Sequence, residues 1–204
     1  MQTFEQCVQD VIDYARLSYN RGLVTAAGGN VSARCGDKII VTASGVSLRD
    51  TSKENLVICS MDGEALACAA PNLKPSKETL LHLRIYKAKP MVRCIVHVHP
   101  PFATGYSVAG HTVPMVTASA QMKVGYLPVV GHFNPGTEEL ANDIDKAVRE
   151  AGDIVKCILM KDHGIISYSA TMGDCFDIAE LVEDTAHIAY VADTVRAARG
   201  QGGC

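Results

Sequence analysis

The segment CIVHVHPPF, residues 94–102, constrains the fold more than any other part of the chain. Its apolar residues predict a buried strand, and the two prolines end that strand because proline has no N–H to donate to a neighbour. His97 and His99 are two positions apart, so on a strand both imidazoles lie on the same face, near its C-terminal end. We therefore expect two histidines side by side where a buried sheet opens to solvent.

The rest of the sequence predicts a single α/β domain over residues 1–199, with helices packed on a largely antiparallel sheet. Of the 204 residues, 48% are apolar and 20% are charged, which is typical of a globular domain with a substantial core. Helices are predicted at 3–20, 77–89, 101–110, 137–151 and 171–199, and strands at 38–44, 55–63, 92–99, 154–160 and 165–169. The first helix is expected to bury Val8, Val11, Ile12 and Leu17. The Gly-rich end, residues 200–204, is predicted to be a flexible tail.

Charge and cysteine content exclude several classes of function. The net charge is −3 and the chain has no run of Lys or Arg, so nucleic acid is not an expected partner. No apolar stretch reaches membrane-spanning length, and the N-terminus lacks the features of a signal peptide. We therefore expect no membrane partner and a cytoplasmic location, in which the eight scattered cysteines are reduced thiols.

Two further side chains complete a candidate metal site with the paired histidines. His163, in MKDHGI, follows another apolar strand, and Glu78, in KPSKE, is expected in the first turn of a helix that Ser76 caps. Each of the four residues also has an ordinary explanation. His97 and His99 would be half-buried histidines, His163 would be a turn residue, and Glu78 would offset the helix dipole. Together they offer three imidazoles and one carboxylate at the ends of elements, which suits a catalytic divalent ion.

The remaining histidines carry less information. His82 lies four residues after Glu78 and is assigned a structural role on the same helix. His132, in VVGHFNPG, is retained as a possible site residue.

Small and hydroxylated residues predict a place for an anion. The stretches AAGGNVSAR, TASGV and KPSKE offer backbone N–H groups, hydroxyls and one ammonium group to phosphate oxygens. The candidate phosphate ligands are Asn30, Ser44, Gly45, Ser76 and Lys77. The alternative is that these stretches are tight turns that need Gly and Ser for backbone reasons.

These motifs resemble those of a known family. GGNVSAR, TASG, KPSKE, HVHPPFAT, NPGTEELA and KDHGI occur in the order seen in the class II aldolase/adducin-like family, over about residues 5–195. This family includes sugar-phosphate aldolases similar to L-fuculose-phosphate aldolase, and ribulose-phosphate 4-epimerases. The resemblance implies a three-layer α/β/α domain that assembles as a homotetramer with active sites at subunit interfaces.

The resemblance also implies the chemistry. Zinc, or another divalent ion, is expected on His97, His99 and His163, with Glu78 as a ligand in the empty site and the acid/base when substrate is bound. The five anion-site residues are expected to hold the phosphate of a small sugar or sugar acid. The reaction expected first is cleavage of a ketose phosphate to dihydroxyacetone phosphate and an aldehyde, because this is the commoner activity in the family.

Departures from the family pattern keep other activities open. Family aldolases carry P-S-S-E where this chain has P-S-K-E, so Lys77 replaces the second serine. The tyrosine that the family has after TVP is replaced here by Ala118 or a neighbouring residue. The longer C-terminal tail with its tyrosine is missing, so the proton donor is unassigned. PSKE and the Pro-Gly after VVGHFN resemble 3-oxo-tetronate-4-phosphate decarboxylases instead. A 4-epimerase or dehydratase, and a non-catalytic module similar to adducin, are the remaining alternatives.

Overall fold

The computed structural model describes residues 2–200, and it has the mixed α/β composition that the sequence predicts. The helices are α1 (Phe4–Asn20), α2 (Thr79–Ala88), α3 (Pro101–Val108), α4 (Ala118–Lys123), α5 (Glu138–Glu150) and α6 (Met172–Gly200). The strands are β1 (Asn30–Cys35), β2 (Lys38–Thr42), β3 (Leu56–Ser60), β4 (Ala65–Cys68), β5 (Cys94–Val98), β6 (Val129–Val130), β7 (Cys157–Met160) and β8 (Gly164–Ser169). Short 3₁₀ turns occupy Leu48–Asp50 and Lys53–Asn55.

All eight strands form one sheet in the order β4-β3-β2-β1-β5-β8-β7-β6. Every neighbouring pair is antiparallel except β6 and β7, so the expectation of a largely antiparallel sheet is confirmed. Strand β5 lies between β1 and β8, and all five of its residues are buried, which explains its continuous apolar character. In this register His97 is opposite Asn30 on one side and Ile166 on the other.

Helices cover both faces of the sheet, which confirms the three-layer α/β/α arrangement. Helices α1, α3, α4 and α6 pack together on one face, and α2 packs against α5 on the other. Each face has its own apolar core, because alternate strand residues point to opposite sides. Val96 of β5 belongs to the core beneath α1 and α6, whereas Ile95 belongs to the core beneath α2 and α5. His97 has the same parity as Ile95 and therefore lies on the side where α2 begins.

Most of the predicted elements are present, with three kinds of correction. Strands β1, β4 and β6 and helix α4 were not predicted, because β1 buries polar residues and the other three are short or exposed. Leu17 was expected in the buried face of α1 but is 37% exposed, since the buried row runs through Cys7, Val11, Ala15 and Ser18. Helix α6 extends to Gly200, and residues 201–204 of the predicted tail lie outside the described range.

The seven cysteines within residues 2–200 are all free thiols. Within the same range, no helix combines the length and the apolar character needed to cross a lipid bilayer.

Candidate active site

Glu78 stands at the junction between an extended segment and helix α2. The segment before it is bonded to the end of β2: Ser44 N donates to Lys74 O, and Ser76 N donates to Thr42 O at 3.2 Å. Lys77 and Glu78 form a turn before α2, so the expected N-cap at Ser76 is wrong and the helix starts two residues later. Glu78 itself occupies the N-cap position, and the Ser76 hydroxyl instead accepts a hydrogen bond from Glu78 N.

His97 and His99 lie where predicted, near the end of β5 and just beyond it. His97 is fully buried, and its Nδ1–H donates to the carbonyl oxygen of Ile165 at 2.9 Å. Because a carbonyl only accepts, this bond places the proton on Nδ1 and directs Nε2 into the site. His99 follows the strand and is partly exposed, and its Nε2 lies 3.0 Å from Nε2 of His97.

His163 is presented by the tight turn between β7 and β8. Asp162 adopts a positive φ of 59°, which reverses the chain, and Gly164 begins β8 directly after His163. A Cβ atom on Gly164 would collide with the carbonyl oxygen of Val98 and with the His99 ring. Glycine is therefore required here so that the turn can approach the paired histidines.

The four predicted metal ligands meet at one point. One Glu78 oxygen lies 3.0 Å from His97 Nε2, and the other lies 3.3 Å from His163 Nε2. The three imidazole centroids are 4.8–5.0 Å apart. One donor atom from each of the four side chains lies within 4.8 Å of all the others. The structure thus brings together a carboxylate at the start of a helix and three imidazoles, which come from a strand, the end of that strand and a turn.

The electrostatics of this cluster follow from burial and opposite charge. Burial opposes the charged form of Glu78, but His97, His163 and a hydrogen bond from Asn30 hold the pKa of its carboxyl group well below the usual range. Burial likewise disfavours the charged form of His97, and the neighbouring Glu78 outweighs this and raises the pKa of that imidazole. Burial and nearby histidines lower the pKa of His99 to about 3 and that of His163 to about 4. At neutral pH these two rings therefore present uncharged nitrogens, which is the form that binds metal.

The donor set fits a divalent cation. The Nδ1–H of His97 is already used, so its Nε2 and the Nε2 of His99 face each other across 3.0 Å and need a proton or a cation between them. Glu78 Oε1 is buried and has no hydrogen-bond partner among the described residues. Three imidazole nitrogens and one carboxylate are ligands that zinc accepts, and a substrate oxygen can replace one of them.

The cluster lies against a cavity of about 290 Å³, which all five predicted phosphate ligands line. Asn30, Ser44, Gly45, Ser76 and Lys77 share this lining with Glu78, His99 and His163. Asn30 has a second role that the sequence did not reveal: its Nδ2 donates to Glu78 Oε2 at 2.9 Å. No tyrosine is among the described residues that line the cavity.

The two glycines of AAGGN pack against the segment that carries the paired histidines, and both line the cavity. Gly29 has a positive φ of 73°, and a Cβ atom on it would lie 2.7 Å from the carbonyl oxygen of His97. Gly28 packs equally closely on the His99 ring, where a Cβ atom would lie 3.0 Å from Nδ1. The loop therefore packs closely against the segment that carries His97 and His99, and it lines the cavity.

His82 and His132 lie outside the cluster. His82 is fully buried, and its Nδ1 lies 2.6 Å from the Ser32 hydroxyl, which also contacts Tyr86 Oη at 2.8 Å. His132 is exposed and pairs with Asp162, with 3.2 Å between Nδ1 and Oδ2. Sequence reasoning missed Ser32 and Tyr86, although the spacing of Glu78, His82 and Tyr86 at intervals of four on one helix was a visible signal.

Comparison with known proteins agrees with this geometry. Residues 9–190 match the family described as Class II Aldolase and Adducin N-terminal domain. The L-fuculose phosphate aldolase of Methanococcus maripaludis is 29% identical over 187 residues, covering 92% of this chain and 98% of that protein. The 3-oxo-tetronate 4-phosphate decarboxylase of Haemophilus influenzae is 30% identical over 186 residues, covering 88% of this chain and 85% of that protein.

A solved structure shows the same fold. The L-fuculose-1-phosphate aldolase from Thermus thermophilus superimposes with a TM-score of 0.82 at 22% identity, over 94% of this chain and 96% of the other. The resemblance inferred from the motifs is thus confirmed by the family match, by relatives of similar length and by the architecture. The chain belongs to the class II aldolase and adducin family.

Proposed function

We propose that the chain is a metal-dependent lyase that breaks a carbon–carbon bond of a small phosphorylated sugar or sugar acid. The observation that carries this proposal is the convergence of Glu78, His97, His99 and His163 within 4.8 Å of one another. This cluster borders a cavity that also carries hydroxyl, amide and ammonium groups. The aldolase and the decarboxylase among the relatives both support carbon–carbon cleavage.

The four clustered side chains would hold the divalent ion, and zinc suits three imidazoles with one carboxylate. When bound, the ion supplies a Lewis acid that stabilises negative charge developing on a substrate oxygen. The backbone carbonyl of Ile165 fixes the tautomer of His97, which keeps one ring nitrogen available as a ligand.

Glu78 is the proposed acid/base because its two oxygens have different surroundings. Oε2 accepts a hydrogen bond from Asn30 and lies 3.0 Å from His97, so it is held in place. Oε1 lies 3.3 Å from His163 Nε2 but accepts no hydrogen bond from a described residue. Oε1 is therefore the atom that can exchange a proton with substrate, while Asn30 keeps the carboxylate oriented.

Ser44, Gly45, Ser76 and Lys77 are proposed to hold the phosphate, with Asn30 between them and the metal ligands. Lys77 is exposed and makes no salt bridge with another described side chain, so its charge is available to an anion. A fixed phosphate would set the position of the reacting carbons relative to Glu78.

Aldol cleavage is the first candidate, and decarboxylation of a 3-oxo-tetronate 4-phosphate is the second. Lys77 favours the second candidate, because an additional cation at the cavity suits a substrate that carries a carboxylate as well as a phosphate. An epimerase or dehydratase would use the same ion. A purely structural module would have no need of four converging ligands.

The proposal includes a homotetramer in the cytoplasm. The family resemblance supports this assembly, with active sites at subunit interfaces. A site at an interface would also explain how a proton donor reaches a cavity whose described lining contains no tyrosine.

The deciding experiment is a panel of four- to six-carbon keto-sugar and keto-acid phosphates, scored for aldehyde and for CO2. We expect one class of product, lost on treatment with a chelator and restored by zinc. An isomer or a dehydrated product would instead support the epimerase or dehydratase. A metal-free protein that is insensitive to chelator would overturn the lyase proposal.

His97→Ala is the matched variant, and we expect it to lose both bound metal and turnover. Glu78→Gln is expected to keep metal and lose most turnover, because an amide cannot act as the base. Met91→Ala is the control, since Met91 is 80% exposed and precedes β5, at the end of that strand opposite His97 and His99. Full zinc occupancy in His97→Ala would show that the ligand assignment is wrong.

A further inference from the structure

The segment that connects His99 to helix α3 is fastened to helix α6. Pro100 and Pro101 have no N–H, so the first free donors of α3 are the backbone amides of Phe102 and Ala103. Phe102 N donates to one oxygen of Glu183 at 2.9 Å, and Ala103 N donates to the other at 2.8 Å. One carboxylate from α6 therefore bonds both amides at the start of α3.

A ring contact from the same face of α6 supports this attachment. His187 lies one turn after Glu183, and its ring stacks on that of Phe102 with centroids 4.0 Å apart and an interplanar angle of 16°. Tyr190 contacts the same ring, with centroids 5.6 Å apart. Helix α6 thus holds both the backbone and the side chain of Phe102.

This attachment matters for His99 because the connection between them is stiff. Two consecutive prolines separate His99 from Phe102, and each fixes its own φ near −65°. The two prolines leave fewer backbone torsions free between these residues, so a shift at Phe102 is transmitted to His99 more directly. His97 has a hydrogen bond from its Nδ1 to Ile165, whereas Nδ1 of His99 has no such bond among the described residues, so packing and the backbone orient the His99 ring.

Burial raises the pKa of Glu183, and the hydrogen bonds from the amides of Phe102 and Ala103 oppose that shift. A carboxylate at a helix N-terminus is stabilised by the helix dipole and by charge-assisted hydrogen bonds from free amides. Glutamine in its place would have one acceptor oxygen and no charge. One of the two amides would then lose its partner, and the start of α3 would be held less firmly.

We propose that Glu183 is a positioning residue for metal binding: by bonding the amides of Phe102 and Ala103 it holds His99 where its Nε2 can share a cation with the other three ligands. The inference rests on the metal site of the proposed function. It assigns to α6 a role in the site, although no residue of α6 lines the cavity that the cluster borders.

The test is the zinc affinity of the metal-free Glu183→Gln protein, measured by competition with a chelating dye. We expect about tenfold weaker binding, together with faster hydrogen exchange at the amides of Phe102 and Ala103. Glu180→Gln is the matched control, because Glu180 is a neighbouring carboxylate on the same helix that pairs with Arg21 instead. Its zinc affinity is expected to equal that of the unsubstituted chain.

Val148→Ala distinguishes a specific effect on zinc binding from a general loss of stability. It removes buried side-chain atoms of α5 and leaves a cavity on the side of the sheet opposite α6. Equal loss of zinc affinity in Val148→Ala and Glu183→Gln would overturn the inference, as would unchanged affinity in Glu183→Gln. Should Glu183→Gln not fold, Glu183→Asp keeps the charge but is one methylene too short to bond both amides, and unchanged zinc affinity there would overturn the inference. Absence of zinc binding by the unsubstituted chain would overturn the inference and the proposed function together.

Discussion

Beneath the cluster of Glu78 and the three histidines, buried polar residues form a second layer. Asn30 and Ser32 alternate along β1 and face Glu78 and His82, which lie one turn apart on α2. Asn30 bonds the carboxylate, and Ser32 bonds the histidine. The polar residues of β1 therefore bind the start of α2 to the sheet, close to the atoms proposed to react.

Ser32→Ala is expected to destabilise the protein by about 2 kcal/mol, because His82 and Tyr86 both lose a buried hydrogen-bond partner. Ser47→Ala is the control: its hydroxyl is also buried but has no partner among the described residues, so its removal is expected to cost less than about 0.5 kcal/mol. Urea unfolding of the metal-free proteins measures both. Equal losses for the two variants would show that Ser32 contributes only volume.

His82 predicts a dependence of stability on pH. Burial lowers the pKa of His82 to about 3, so acid protonates this residue in the unfolded chain before it does so in the folded chain. As the pH falls from about 6.5 toward 3, protonation of His82 favours the unfolded chain, so the free energy of unfolding falls progressively. Between pH 6 and pH 5 we expect the metal-free protein to lose about 1 kcal/mol more than His82→Asn. If urea unfolding shows that the two proteins lose the same free energy of unfolding between pH 6 and pH 5, the prediction is wrong.

At the scale of elements, the close approach of β8 to β5 sets the geometry of the cluster. A side chain on Gly164 would push the start of β8 away from Val98 and His99. Gly164→Ala is expected to cost about 2 kcal/mol of stability and to weaken zinc binding about tenfold, because His163 moves with the turn. Chelator competition and urea unfolding measure the two effects.

Gly105→Ala is the matched control for that prediction. Gly105 lies within helix α3, and a Cβ atom there would meet nothing within 4 Å. Alanine at this position is expected to raise stability by up to about 1 kcal/mol and to leave zinc affinity unchanged. Unchanged zinc affinity in Gly164→Ala would show that β8 can shift without moving His163.

Elements with a strong apolar period or a clear cap were predictable from the sequence, and elements shaped by tertiary contacts were not. Helix α5 was correctly predicted from Thr137, which accepts a hydrogen bond from Leu140 N, and from Gly152. Strand β1 was missed because its buried polar residues are satisfied only by side chains of α2. The start of α2 was misplaced for a similar reason, since the segment before it is bonded to the end of β2.

Across the whole molecule, the candidate site was more predictable than its surroundings. The four candidate ligands have positions in the sequence that place them at the ends of elements, and the resemblance to a family indicated that those ends lie together. The sequence did not predict that Asn30 bonds Glu78, or that Glu183 bonds the amides that follow His99. These contacts join residues far apart in the chain, and no local pattern reports them.

Helix α6 indicates where copies of the chain would associate. Ile188, Val191 and Val195 are 42%, 47% and 46% exposed, and their spacing places them in one stripe along the helix. Near this stripe, a groove of about 640 Å³ lies between α3 and α6, with Phe102 and Tyr190 in its lining. A second copy of the chain would cover this surface, in keeping with the proposed homotetramer.

Val195→Asp is expected to dissociate the assembly, because burying an unpaired carboxylate in an apolar interface is costly. Sedimentation velocity should give a mass of about four chains for the unsubstituted protein and a lower mass for the variant. Leu66→Asp is the control, since Leu66 is 49% exposed on strand β4 at the far edge of the sheet and is expected to leave the mass unchanged. An unsubstituted protein that sediments as a monomer would contradict the tetramer, and an intact tetramer in Val195→Asp would place the interface elsewhere.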